Sequence, residues 1–284
     1  MPELPELEGL VAWIRSDLAG HTIEDVRLRS VAALKTYDPP LSALIGQTVA
    51  GAARTGKYLS VTAGNLILVT HLSLGGWMRW VDNPNQRKPS LRGPIIAEIR
   101  FGTGSLDLTE HGKEKRLAIW LVRDLEDVPQ IPELGPDALS PELDLATFSR
   151  VVLGHKGTIK SVLANQHVIA GIGNAYSDEI LHEARLSPLL RTSKITEPEV
   201  DRLYGSMRKV LSEAVVAAAG KRPGNLKDGK RSRFQVHARA GETCPTCGDT
   251  IRAVWMGSRS FQYCPTCQSG GRVYKDRRMS RLLK

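Results

Sequence analysis

No stretch of the 284-residue chain supplies the roughly 18–20 consecutive apolar residues that a membrane-spanning helix needs. The acidic start, MPELPELEGL, lacks the basic-then-apolar order of a signal peptide. Both absences predict a soluble, cytoplasmic protein. Cysteine is sparse: all four lie in two pairs, Cys244/Cys247 and Cys264/Cys267, leaving no thiol elsewhere for a structural disulfide. No His/Asp cluster stands apart from them to indicate a second metal. The first 220 residues also lack excess positive charge. Lys+Arg number 39 against 30 Asp+Glu, but residues 1–220 hold 24 basic and 26 acidic side chains, whereas 221–284 hold 15 and 4. Cations gathered at one end suit a polyanion, because each one set against a phosphate releases condensed counterions, so the expected partner is nucleic acid.

What cysteine there is reads as a metal site. The spacing C-x2-C-x16-C-x2-C lets two tight turns present four thiolates to one tetrahedral zinc. Such a centre is closed and structural, with no position left for a catalytic water. A redox CxxC is the alternative, but a redox pair needs no twin at finger spacing.

An apolar content of 41% over this length provides cores for two or three domains. Leu4, Leu7, Leu10, Val11, Ile14 and Leu18 recur at helical spacing, with Pro5 near the start and Gly20 at the end. From Thr22 to about Val122 the runs become short and strand-like, among them Tyr58–Val61, Leu66–His71, Trp77–Val81, Ile95–Phe101 and Ala118–Val122. The fold class expected is α+β and multidomain: a β-sandwich with an N-terminal helix over 1–123, then a Pro-rich acidic linker over 124–144. A helical domain over 145–220 follows. In it, Thr196 and Glu199 cap a last helix striped by Val200, Leu203, Met207, Val210, Leu211 and Val215. Two shorter helices, 159–165 and 175–183, flank the turn Ala170-Gly171-Ile172-Gly173-Asn174. Its glycines leave amides open to a phosphate, although a plain tight connection reads the same way. Residues 221–267 read as a basic loop and the zinc module, and 268–284 as a basic tail.

The amino terminus offers further chemistry. Removal of Met1 would leave Pro2 as a free secondary amine, and an α-amine titrates near 8 rather than near the lysine value, so part of it is neutral and nucleophilic. Addition to an aldehyde-like carbon would give a cationic iminium, an electron sink for eliminations. Glu3 and Glu6 follow at once and could move a proton. Taken alone, Pro followed by acids is equally a helix start.

Five motifs in order, MPELPELE, RTGKYLSV, THLSLGG, GIGNAYSDEIL and CPTC…SRSFQYCPTC, span nearly the whole chain. In these the sequence resembles the formamidopyrimidine-DNA glycosylase/endonuclease VIII family. The resemblance implies a β-sandwich, a helix-two-turn-helix domain and a C-terminal four-Cys zinc finger, with duplex DNA in the cleft between them. It also implies a bacterial-type monomer whose glycosylase/AP-lyase activity acts on oxidised bases, with one structural zinc as cofactor. Carried over by position, the nucleophile falls on Pro2 and the catalytic acids on Glu3 and Glu6. Lys57, His71, Asn174 and Arg259 hold phosphates, Lys57 also serving the catalytic set. The family often fills the flipped base's space with Met, Arg and Phe. Here the matching positions are Leu74, Lys115 and Leu117, with Arg116 the reader if the loose HGKEKRLAIW alignment slips by one. Lysine cannot make the paired hydrogen bonds of a guanidinium, and 221–237 is short for a lesion-capping loop, so weak opposite-base discrimination and poor 8-oxoguanine excision are expected. The rival reading is a non-catalytic DNA-binding protein of the same fold. A metal-dependent nuclease is disfavoured by the closed thiolate site.

Overall fold

The computed structural model describes residues 1–284 apart from 85–93, 113, 257–258 and 276–284, and the backbone but not the side chains of Asp228, Arg231, Met256 and Arg259. Two units are distinguished: Met1–Glu133 with Val215–Gly229, and Leu134–Ala214 with the described part of 230–284.

In the first unit the N-terminal stripe becomes helix α1, Leu4–Asp17, with Leu4, Leu7, Leu10, Val11 and Ile14 buried. Pro5 lies in its first turn, where a missing N–H costs nothing. Eight strands follow: β1 (Ile23–Leu28), β2 (Val49–Thr55), β3 (Tyr58–Ala63), β4 (Leu66–His71), β5 (Gly76–Val81), β6 (Ile95–Phe101), β7 (Gly104–Glu110) and β8 (Ala118–Val122). They form two antiparallel sheets, β1-β6-β7-β5 and β2-β3-β4-β8. Leu59 and Leu68 of one sheet, Ile99 and Leu106 of the other, and Leu10 and Ile14 of α1 share one apolar core, the sandwich with one helix that the sequence predicts.

Helices α2 (Leu145–Gly154), α3 (Ile159–Leu163), α4 (Asn174–Glu183) and α5 (Glu197–Ala218) come next. The Glu199 side of the α5 capping box forms, the Thr196 N–H and hydroxyl donating to Glu199 Oε2 at 2.9 and 3.0 Å. The zinc module is a hairpin, β9 (Arg252–Met256) with β10 (Arg259–Tyr263), followed by α7 (Pro265–Ser269).

Two segments differ from their sequence-based reading. The Pro-rich stretch 124–144 is packed rather than free, with Val128, Ala138 and Leu143 fully buried. Within the expected basic loop, Pro223–Arg231 forms α6, whose Leu226 joins the core of the first unit. Gly9 makes room for it: a Cβ there would lie 2.8 Å from Leu226 Cδ2 and 3.1 Å from Ala218 Cβ. Among the described residues no helix is long and apolar enough to cross a membrane.

Candidate functional site

The first turn of α1 holds the candidate nucleophile and acids. Pro2 is buried next to an exposed Met1, and Glu3 and Glu6 are only 2% and 1% exposed. Glu3 is the N-cap, and the two acids cap each other: the Glu6 N–H donates to the Glu3 side chain, and the Glu3 N–H donates to Glu6 Oε2 at 2.9 Å. Through Oε2, Glu6 fixes the backbone of Glu3, a pairing the E-x-x-E spacing could have signalled. Arg54 ties this helix to the β2–β3 turn. It donates to Glu8 Oε1 at 3.0 and 2.8 Å and to the Gly56 carbonyl at 3.0 Å, beside the nearly buried Lys57.

His71 ends β4 directly opposite Tyr58 of β3, the ring centroids 4.8 Å apart. Burial, and secondarily the charge of Lys57, push its pKa down to about 4. The imidazole is therefore neutral at physiological pH and offers a ligand an N–H donor rather than a cation.

The candidate void-filling residues separate. Leu74 projects from the β4–β5 turn at 61% exposure. Gly75 and Gly76 behind it could carry no side chain, because a Cβ on either would come within 2.0 Å of the His111 or Leu72 carbonyl oxygen. Leu117 is not available as a wedge: it is 3% exposed and belongs to the sandwich core. Glu110, itself buried, holds it there, with Oε1 accepting the Arg116 and Leu117 N–H groups at 2.7 and 2.9 Å. Lys115 turns back to donate to the Glu110 carbonyl at 2.5 Å, while the Arg116 side chain is 62% exposed beside Glu114. The acid that organises this loop was invisible in sequence because it ends a strand without a motif.

In the second unit the glycine turn is braced by Gln166, which accepts from the Gly171 N–H at 3.0 Å and donates to the Ile172 carbonyl at 2.7 Å. The Gly171 amide is therefore engaged within the protein. Asn174 opens α4 and donates through Nδ2 to the Ser260 carbonyl at 2.9 Å. Arg259 heads β10, and its side chain lies outside the described residues. Sequence reasoning missed the acids inside α4. Asp178, fully buried, accepts from Lys160 at 2.6 Å, from His237 Nδ1 at 2.7 Å and from the Gln262 N–H at 3.2 Å. Glu179 accepts the N–H groups of Gln235, Val236 and His237 at 2.7, 3.0 and 2.7 Å. Its burial raises the carboxyl pKa, and these three donors oppose the rise.

The four cysteine Sγ atoms lie within 4.8 Å of one another. A tetrahedral ion with Zn–S bonds of about 2.3 Å requires sulfurs roughly 3.8 Å apart, and Cys244–Cys267 and Cys247–Cys264 stand at 3.9 and 3.3 Å. Burial pushes the Cys264 thiol up to about 11 and Cys267 higher still, so these two need a cation beside them to become thiolate, whereas the backbone N–H of Asp249 lowers the exposed Cys247. The donors fit one structural zinc.

Comparison with known proteins matches the formamidopyrimidine-DNA glycosylase N-terminal domain over residues 1–114, the H2TH domain of the same enzymes over 134–222, and the zinc finger found in FPG and IleRS over 241–270. A formamidopyrimidine-DNA glycosylase-like protein of Mycobacterium tuberculosis is 51% identical over 55% of this chain and 98% of its own. The formamidopyrimidine-DNA glycosylase of Symbiobacterium thermophilum is 33% identical, covering 94% of this chain and 89% of the relative. Among solved structures, Lactococcus lactis Fpg bound to DNA containing N7-benzyl-Fapy-dG superposes with a TM-score of 0.83 at 25% identity, over 94% of this chain and all of that one. With its sandwich, H2TH domain and four-cysteine finger all matched, the chain belongs to the formamidopyrimidine-DNA glycosylase family.

Proposed function

We propose that the protein is a bifunctional DNA glycosylase/AP lyase of base excision repair, acting as a monomer on duplex DNA. With Met1 removed, the Pro2 nitrogen attacks C1′ of an extruded nucleotide, and the base departs with the glycosidic electrons. Glu3 gives a proton to O4′ as the C1′–O4′ bond breaks, leaving an iminium between the Pro2 nitrogen and C1′; the Glu3 carboxylate then takes a C2′ proton, and successive β- and δ-eliminations break C3′–O3′ and C5′–O5′, releasing the 3′ and then the 5′ phosphate. Lys57, His71, Asn174 and Arg259 hold the flanking phosphates. The observation that carries the reading is the first turn of α1: Pro2 is set against a reciprocally capped pair of buried acids, and Arg54 ties that helix to the turn bearing Lys57.

Exposure favours Leu74 as the wedge; of the two exposed cations Lys115 and Arg116, Lys115 is tied to the Glu110 carbonyl, which favours Arg116 as the side chain that meets the opposite base. A guanidinium can make paired hydrogen bonds there, which revises the expectation of weak discrimination. Poor 8-oxoguanine excision is retained, because 223–231 is helical and the amides of 235–237 are held by Glu179, leaving little chain to close over a purine. The test is incubation of protein with a free Pro2 amine with oligonucleotides carrying ring-opened purines, oxidised pyrimidines, 8-oxoguanine or an abasic site. Base release and nicks bearing phosphate on both ends are expected. Tight binding without cleavage of any substrate would instead identify a non-catalytic DNA-binding protein.

A further inference from the structure

Helix α4 meets the zinc module along one face. Asn174, Asp178 and His182 are spaced four apart and stack one above another. Asn174 and Asp178 grip β10 through the Ser260 carbonyl and the Gln262 N–H, as described above. The third contact reaches the metal ligands: His182 Nε2 lies 3.4 Å from Cys244 Sγ. Both partners are buried, His182 at 5% and Cys244 at 1% exposure. A zinc-bound thiolate carries no proton, so the hydrogen in this contact sits on Nε2, giving a charge-assisted N–H···S bond. Donors of this kind orient a ligand, take up part of its charge and make it harder to protonate and displace.

We propose that His182 is a zinc-site positioning residue outside the four thiolates: its Nε2–H fixes Cys244, slows loss of the metal, and locks the finger to the helix that begins with Asn174. The proposal rests on the structural-zinc assignment, which is checked separately by the zinc content of the parent protein. Zinc retention then depends on a residue of the helical domain as well as on the finger.

The test uses the full chain, zinc-loaded, as parent, His182→Gln and His182→Leu. Glutamine can place an Nε2–H near the imidazole position, whereas leucine fills similar space without a donor. Zinc passing to a chromogenic chelator at fixed pH is followed by absorbance. The leucine variant should release zinc roughly 10-fold faster, the low end for outer-sphere partners of metal ligands, and the glutamine variant should stay close to the parent. Parent-like release from the leucine variant overturns the proposal, as does equally fast release from both variants, which would mean the imidazole serves by shape alone. If the leucine variant does not fold, the parent decides: loaded with cadmium-113 and 15N-histidine, it should show a slowly exchanging Nε2–H coupled to the metal, and its absence would be equally fatal.

Discussion

His71 shows how position alone assigns a role to a side chain. An ordinary histidine is half protonated near 6.5, but burial and the Lys57 charge depress this one to about 4. The unfolded chain therefore binds the proton more readily, so the stability contributed by neutral His71 is complete above about 6.5 and is lost as pH falls toward 4. Histidine NMR titration should find one imidazole, absent in His71→Gln, with a midpoint near 4; a midpoint near 6.5 would contradict the geometry. The void-filling loop separates in the same way. Leu117→Ala should cost roughly 2–5 kcal/mol in urea unfolding, as core truncations do, while leaving the ranking of opposite bases unchanged. Arg116→Ala should erase that ranking at little cost in stability. The motif residues were legible because their order is specific. Leu117 was misread because one apolar residue in a loosely aligned loop carries no mark of which way it points, and Glu110, which decides this, lies outside any motif.

At the scale of elements, periodicity revealed α1, β4 and the α5 stripe because each has a continuous apolar face. β1 gave a weak signal because half its residues are charged, and β2 because small Ala and Gly residues carry little strand preference, both being half-exposed over much of their length. α6 was hidden in a basic, glycine-containing stretch whose only helical cues are Pro223 at its start and Leu226. α4 hid its acids differently. It is buried all round from Ala175 to His182, so its polar residues face protein partners that no local pattern announces. The close approach of α1 to α6 supplies the test at this scale. Gly9→Ala puts a methyl against Leu226 and Ala218, and should cost about 1–3 kcal/mol in urea denaturation, the usual range for overpacking. An unchanged midpoint would mean that the helices are free to separate.

Across the whole molecule, the split of charge and the thiolate set govern binding. Residues 221–284 carry 15 basic and 4 acidic side chains, so DNA affinity should fall steeply and log-linearly with salt. Arg259→Ala should weaken all sequences alike, because it is assigned to phosphate; loss confined to some sequences would reassign it to a base edge. Cys264→Ser should release the zinc and impair DNA binding while the sandwich stays folded, since metal ligation and folding of so small a module are coupled. Elemental analysis and salt titration read these two outcomes. The central claim is chemical and has one direct measurement. Borohydride added to the protein on abasic-site DNA should trap a covalent adduct that maps by mass spectrometry to Pro2 as the first residue, and Pro2→Gly or retention of Met1 should abolish or greatly weaken it. An undiminished adduct in the Pro2→Gly protein, mapped to a lysine, would contradict the account.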